Sequence, residues 1–401
     1  MAIQNTQPES VVDLLSALIA IPSVNPMGRD VTGEIYFEGR VSDWLQAFFE
    51  SVSADCERIE VSPGRDNVIA RFDNGSDVTI LLDVHQDTVP VDGMTISPFA
   101  PVIKGGKLFG RGACDVKGGM AAMLHAFRRL IREQPAEAAN VVLSCTCDEE
   151  STTTGINDLV QYWGVAKGKS RLLAQRPTFA VIAEPTLLDV VVAHRGVTRF
   201  KIHTAGRACH SSDPSQGVNA IYRMARVVEA LEEYAELLTK TIAPHPLCGG
   251  ATLSVGLISG GTSVNIVPDE CVIEIDRRII PGEDRSVVVD SIRQFLAERV
   301  DFDMQFDEPW IESSPLTDSD NEQLARAMLN CVQQADKTHA AIGVPFGTHA
   351  SRTCAAGVPS VVFGPGSIDQ AHTKDEFVEI DQLKKAADVY FRLCSDATLL
   401  R

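Results

Sequence analysis

Apolar positions along the chain follow two alternating periods. Val11, Leu14, Leu15, Leu18 and Ile19 fall three and four residues apart, the spacing of one helix face, and Ser10 stands where an N-cap belongs. The same period recurs over 41–49, 119–131, 324–332 and 383–393. Between these helical patterns lie short apolar runs over 78–84, 141–147, 179–183 and 360–363, each ending in polar residues. Strands alternating with helices predict an α/β domain with a mostly parallel central sheet flanked by helices.

The middle of the chain breaks this alternation. Residues 196–205 alternate as a half-buried strand does, 218–238 carry apolar residues at helical spacing, and 251–258 and 271–275 are strand patterns around the turn-rich 259–263. Strand, helix, strand, strand over about a hundred residues suffices for a small α+β domain. The expected organisation is therefore a discontinuous catalytic domain, 1–194 and 306–401, interrupted by an inserted domain over 195–305.

Composition narrows the partners. The 401 residues carry 36 basic and 54 acidic side chains, a net charge of −18, which argues against nucleic acid and against an anionic membrane. No apolar run has the length of a transmembrane helix, and the N-terminal residues lack the basic and uninterrupted apolar regions of a signal peptide. The ten cysteines form no CxxC pair. Scattered, mostly apolar-flanked thiols in a chain of this size read as a reduced, cytoplasmic protein.

Chemistry collects just past the predicted strands. His85 and Asp87 follow one, Asp148, Glu149 and Glu150 a second, Glu184 a third, and His372 comes after the loop that leaves the fourth. Asp115 sits in the glycine-rich run 110–119 ahead of a helix. Open parallel sheets bind ligands outside the carboxyl ends of their strands. Alone, each residue has a plain reading: a hydrogen-bonded histidine, a solvated acidic loop, a turn aspartate. Together, two histidines and several carboxylates at one sheet edge form an N/O donor set that suits zinc. Asp115, Glu150 and Glu184 bring three negative charges and a bridging hydroxide a fourth, the charge that two divalent cations neutralise. His85 and Asp87, two apart, share a face if the strand continues, so Asp87 is placed to accept the second N–H of His85. Glu149 and Glu150 point opposite ways in an extended stretch, one free to ligate and the other to act as a base; spacing alone does not say which.

His85-Gln-Asp87, the GRGACDVKGG run, Asp148-Glu-Glu150, Ala183-Glu-Pro185, His194-Arg-Gly196, the run from Gly206 through His210 to Ser212, and GPGSIDQAH at 364–372 occur in one order. In these motifs the chain resembles the co-catalytic zinc aminoacylase and carboxypeptidase family, which includes acetylornithine deacetylase, succinyl-diaminopimelate desuccinylase and glutamate-releasing carboxypeptidases. The last motif looks most like the acetylornithine deacetylase branch. The resemblance implies a zinc-peptidase-like catalytic domain with an inserted dimerisation (lid) domain. It implies two divalent metals, zinc first with cobalt or manganese as alternatives. His85, Asp115 and Glu184 would hold one, and Asp115, Glu150 and His372 the other. It implies attack on an amide by a metal-bridging water, with Glu149 as general base. His210 would steady the oxyanion in the partner subunit of a homodimer, and Asn265 and Arg278 would contact the substrate carboxylate. The implied substrate is an N-acyl amino acid, or a dipeptide or carboxypeptidase substrate if the pocket differs.

On residues alone, Arg278 reads equally well as a surface ion pair with Glu274 or Asp276, and His210 as a loop histidine. His194 and Arg195 read as structural. Several positions depart from the family pattern: Cys114 and Cys147 beside the acidic motifs, Ser151 to Thr154 in place of a glycine-richer stretch, and His349 where many relatives carry aspartate. Either cysteine reads best as a small buried hydrophobe, with a thiolate near the metals as the alternative.

Overall fold

A computed structural model of the protein describes residues 8–334 and 338–401. The chain divides into two compact units, one comprising Met1–Val192, Asp318–Ile342 and Thr348–Arg401, the other Ala193–Thr317 and Gly343–Gly347.

The larger unit is built on a sheet whose strands run, edge to edge, Asp55–Ser62, Arg65–Phe72, Asn140–Thr146, Thr79–His85, Phe179–Ile182, Ser360–Val362, Val190–His194 and Ala341–Val344. Its four middle strands, Asn140–Thr146 to Ser360–Val362, are parallel to one another, and antiparallel strands close the sheet around them. Apart from Thr79 at the start of one of them, the parallel strands are buried residue by residue, which is why their sequences read as apolar runs without alternation. Helices Val11–Ile19, Lys117–Glu133 and Ile380–Ser395 pack on one another, and Leu14, Leu18, Phe127, Leu130, Tyr390 and Leu393 join the strand residues in one core. Each large apolar side chain so buried contributes about 1.5–3 kcal/mol. Ser10 caps the first helix in a two-way box: its hydroxyl accepts from Asp13 N–H, and the Asp13 carboxylate accepts from Ser10 N–H, each at 3.1 Å.

Two glycines let the acidic loop and its helix come close. Gly112 adopts φ +82°, and a Cβ there would lie 2.9 Å from Thr88 Cγ2. A Cβ on Gly119 would lie 2.8 Å from that of Ala183, so the helix start can lie against the end of a core strand only at glycine.

The smaller unit is an antiparallel sheet in the order Thr252–Gly260, Glu270–Ile279, Gly196–Ala205, Met304–Phe306, with Ile311–Ser313 also pairing Gly196–Ala205. Helices Ala220–Thr241 and Val288–Ala297 share its core through Met224, Leu231 and Ile292 against Phe200, Ile202, Ile273 and Ile275. Asn219 caps the long helix by accepting from Tyr222 N–H at 3.1 Å. This unit extends past the boundary drawn at 305, because the short strand Met304–Phe306 straddles that point, Ile311–Ser313 follows it, and both add to the free side of Gly196–Ala205. Three-residue strands are too short to register as alternation.

Candidate metal centre

Sheet register assembles the site. His85 pairs with Thr146 on one side, and Asp83 pairs with Ile182 on the other, so the chain turns out of all three strands at the same edge. Glu149 and Glu150 follow Thr146, and Glu184 follows Ile182. Val362 lies opposite Ile182 and sends the 364–372 loop, with His372, from that same edge.

Asp115 lies between two histidines. Its Oδ1 is 3.2 Å from His85 Nε2, and its Oδ2 is 3.2 Å from His372 Nε2. His372 Nε2 also lies 3.2 Å from Glu150 Oε2. Two trios result, His85–Asp115–Glu184 and Asp115–Glu150–His372, and within each the potential ligand atoms lie within 4.8 Å of one another. Asp115 belongs to both. Burial, then the charge of Asp115, pushes Glu150 up to about 8, and the same two causes hold Glu184 well above the usual carboxylate range. Hydrogen bonds to Asp115 and Glu150 raise His372 to about 10. Oε1 of Glu150 is buried with no hydrogen-bond partner. A buried carboxylate crowded by another, with one oxygen unsatisfied, calls for a cation. The donor set of two imidazoles and three carboxylates fits two divalent ions, one per trio.

The surroundings hold these groups still. The expected bond between His85 and the Asp87 side chain is replaced by a shorter one. His85 Nδ1 lies 3.0 Å from the main-chain oxygen of Asp87 and 3.6 Å from its nearer carboxylate oxygen. The Asp87 carboxylate is otherwise engaged: it accepts from the N–H groups of Glu149 (3.0 Å) and Glu150 (3.1 Å) and from Asn25 Nδ2 (2.7 Å). Burial alone would raise Asp87, but His85 and Asn25, with the charge of Arg65, outweigh it and hold the group at about 2. Glu149 and Glu150 are not in an extended stretch either. Asp148 has φ +63° and the two glutamates sit in a turn, so Asp87 fixes both main-chain N–H groups at once.

Residues outside the predicted set complete the frame. Asp148 accepts from Arg65 Nη1 (2.7 Å) and from Asn25 Nδ2 (3.0 Å), and the buried Glu38 binds Arg65 and accepts from Asp148 N–H (3.1 Å). Glu376 accepts from Arg111 Nη1 (2.7 Å) and from the N–H groups of Gly112 (3.0 Å), Cys114 (2.8 Å) and Asp115 (3.0 Å). It thereby ties the Asp115 loop to the segment that carries His372. Burial pushes the Cys114 and Cys147 thiols up, and Cys114 Sγ donates to Ser367 O at 3.2 Å, so both fit the reading as small buried groups.

The other predicted residues lie in the smaller unit. His210 is exposed, with Nδ1 2.8 Å from Ser212 Oγ, and it bridges Ile266, while Ser211 N–H donates to Asn265 O at 3.0 Å. His210 and Asn265 therefore share one loop cluster. Arg278 is tied to its own strand: Nε donates to Asp276 Oδ1 at 2.6 Å.

A mostly parallel sheet carrying paired acidic and imidazole clusters at its strand ends is the scaffold of a hydrolase that acts on amide or peptide bonds. The chain belongs to peptidase family M20/M25/M40, whose model matches residues 81–396. It is 30% identical to an acetylornithine deacetylase of Vibrio campbellii over 88% of this chain and 90% of that one. It is 32% identical to the acetylornithine deacetylase of Myxococcus xanthus, over 87% and 90%. In fold it is similar to an M20 metallo-carboxypeptidase of Sulfolobus solfataricus, with TM-score 0.75 and 18% identity over 96% of this chain and 98% of that one. It is also similar to a dinuclear metal-binding peptidase of Bacillus subtilis, with TM-score 0.68 and 17% identity over 96% of each. Among the described residues no helix is long and apolar enough to cross a membrane.

Proposed function

We propose that the protein hydrolyses the amide bond of an N-acyl amino acid, with N-acetylornithine the first substrate to try. The observation that carries this reading is the sharing of Asp115 between two trios of metal-ligating groups, one carboxylate oxygen facing each histidine. Two acetylornithine deacetylases at 30% and 32% identity favour the acyl amino acid over a peptide. The second reading, a dipeptidase or carboxypeptidase with the same centre, draws on the fold shared with a metallo-carboxypeptidase.

His85, Asp115 and Glu184 would hold one divalent ion and Asp115, Glu150 and His372 the other, zinc in the first instance, and the pair would acidify water and polarise the scissile carbonyl. The protein's own groups do the rest. Glu149 has no part in either trio, and its main-chain N–H is fixed on Asp87. Burial raises its carboxyl above the ordinary range, toward the working pH that a base needs. It takes the proton of the attacking water and returns it to the departing amine. Asp87 sets the positions of Glu149, Glu150 and, through its carbonyl, the ring of His85. His210 is assigned the oxyanion, and Asn265 and Arg278 the free carboxylate of the substrate, for which a planar guanidinium suits bidentate binding.

Amine release by zinc-loaded protein, measured on acyl amino acids beside dipeptides, tests the reading. Glu149→Ala should keep two metals per chain by elemental analysis and lose at least the 10²–10⁴-fold that general base catalysis supplies. An active Glu149→Ala protein would overturn the assignment, and release from dipeptides alone would move the substrate class.

The working unit is proposed to be a homodimer formed through the smaller unit. Its edge strand Thr252–Gly260 is open on one side, and Leu257 (64% exposed), Ile258 (58%) and Val264 (99%) stand in water on or beside it. Light scattering should give twice the chain mass, and Leu257→Lys with Ile258→Lys should give monomers. A fully active monomer would refute it.

A further inference from the structure

His349 and Asp83 form a buried pair that the reaction as described leaves unused. Asp83 lies two residues before His85 on the same strand and is fully buried. Its Oδ1 accepts from Ser144 Oγ at 2.6 Å and Thr146 Oγ1 at 3.3 Å, and its Oδ2 lies 2.8 Å from His349 Nδ1. A carboxylate with both oxygens engaged by donors fixes the imidazole in the form that carries a proton on Nδ1. Nε2 is then left to face outward from the pair, the arrangement by which a carboxylate aims a histidine at other chemistry. His349 is only 2% exposed, yet Nε2 has no hydrogen-bond partner. Leaving a buried polar atom unpaired costs on the order of a hydrogen bond, so an orphan of this kind marks a partner that arrives with water or substrate. The ring lies edge-on to His85, with centroids 6.4 Å apart, and His85 is held by the carbonyl of Asp87, whose carboxylate takes the Glu149 N–H.

We propose that His349 is a positioning residue for the general base: anchored on Asp83 through Nδ1–H, it orients the carboxylate of Glu149 through one water that donates to Nε2 and to the carboxylate, while substrate is bound. The inference rests on the reading of Glu149 as the base. It adds a second fixed point to that side chain, whose main-chain N–H is held by Asp87. It also gives a use to the histidine that departs from the family pattern.

The test is steady-state kinetics and metal content on the full-length, zinc-loaded protein, using its best substrate from the acyl amino acid and peptide panel. His349→Asn keeps a donor near Asp83 but removes the group at Nε2. His349→Gln places an amide near the Nε2 position. His349→Asn should bind two metals per chain, keep its KM within about twofold, and lose about 10- to 100-fold in kcat, the range for partners of a metal-site group. His349→Gln should recover part of that loss. In metal-free protein, a low-field proton resonance from Nδ1–H on Asp83 is expected, absent from His349→Gln. An unchanged kcat in His349→Asn would overturn the inference. So would a raised KM alone, which would make His349 a substrate contact, a loss of metal, or the absence of the resonance in the wild type. Glu149→Ala, run alongside, separates the two ideas: an inactive Glu149→Ala beside a fully active His349→Asn keeps the base and discards only the role of His349.

Discussion

Glu376 and Glu150 are both carboxylates taken out of water, with side chains 0% and 6% exposed. Glu376 accepts four hydrogen bonds, from one guanidinium and three main-chain N–H groups. Glu150 faces the imidazole of His372 with one oxygen and leaves the other buried without a partner. Protein donors complete the first group, which works as architecture. The second is left incomplete, which is tolerable only where something else binds. Burial alone therefore does not separate a structural acid from a ligand; the count of donors does.

That contrast is broken most severely at Glu150. Glu150→Ala removes a member of the Asp115–Glu150–His372 trio, so elemental analysis should find about one metal per chain in place of two. Turnover should fall by more than the roughly 100-fold expected of an outer partner. Glu376→Gln should be milder. It keeps the shape but turns an amide nitrogen toward main-chain donors, loosening the Asp115 loop. Metal affinity should weaken about 10- to 100-fold with both metals still bound at saturation, and the fold should lose about 1.5–3 kcal/mol, the value of a hydrogen bond to a charged group. Competition with a chelator measures the first and urea unfolding the second. If Glu376→Gln lost a metal outright and Glu150→Ala did not, the division between architecture and ligand would be reversed.

The incomplete groups were legible in the sequence, and most of the completing ones were not. His85, Glu150 and Glu184 each follow an apolar run, because a parallel sheet delivers its strand ends to one edge, and Asp115 announces itself by the glycines around it. Glu376, Glu38, Arg65 and Asp83 have no such local mark. Their roles depend on partners that lie 261 to 265 residues away for Glu376, 27 for the Glu38–Arg65 pair and 266 for Asp83–His349. Periodicity does not see such distances. Asp87 was visible as a partner of His85, but the turn at Asp148 carried its side chain to the glutamate N–H groups instead. The core of the smaller unit was readable for the same reason as the strands: one face of Glu270–Ile279 is buried and the other is not, so its residues alternate. The short strands after 303 were too brief to leave a period.

His194 sharpens the contrast with the smallest effect, since it is complete in one protonation state only. It is fully buried in the smaller unit, with Nδ1 2.9 Å from the carbonyl oxygen of Arg195, and burial lowers its pKa from 6.5 to about 4. Between these two values the unfolded chain takes up a proton that the folded chain refuses. Stability from this residue is therefore complete above pH 6.5 and is lost as the pH falls toward 4. By pH 5 the loss amounts to about 2 kcal/mol, or about 30-fold in the folding equilibrium. His194→Asn keeps a donor for the Arg195 carbonyl and cannot titrate. The stability it loses between pH 7 and pH 5 should therefore be about 2 kcal/mol smaller than in the wild type, with the other titrating groups cancelling in the difference. Urea unfolding at the two pH values, followed by a probe in the smaller unit, measures it. Equal pH dependence in the two proteins would mean that His194 protonates in place, with a partner for the charged ring already built into the fold.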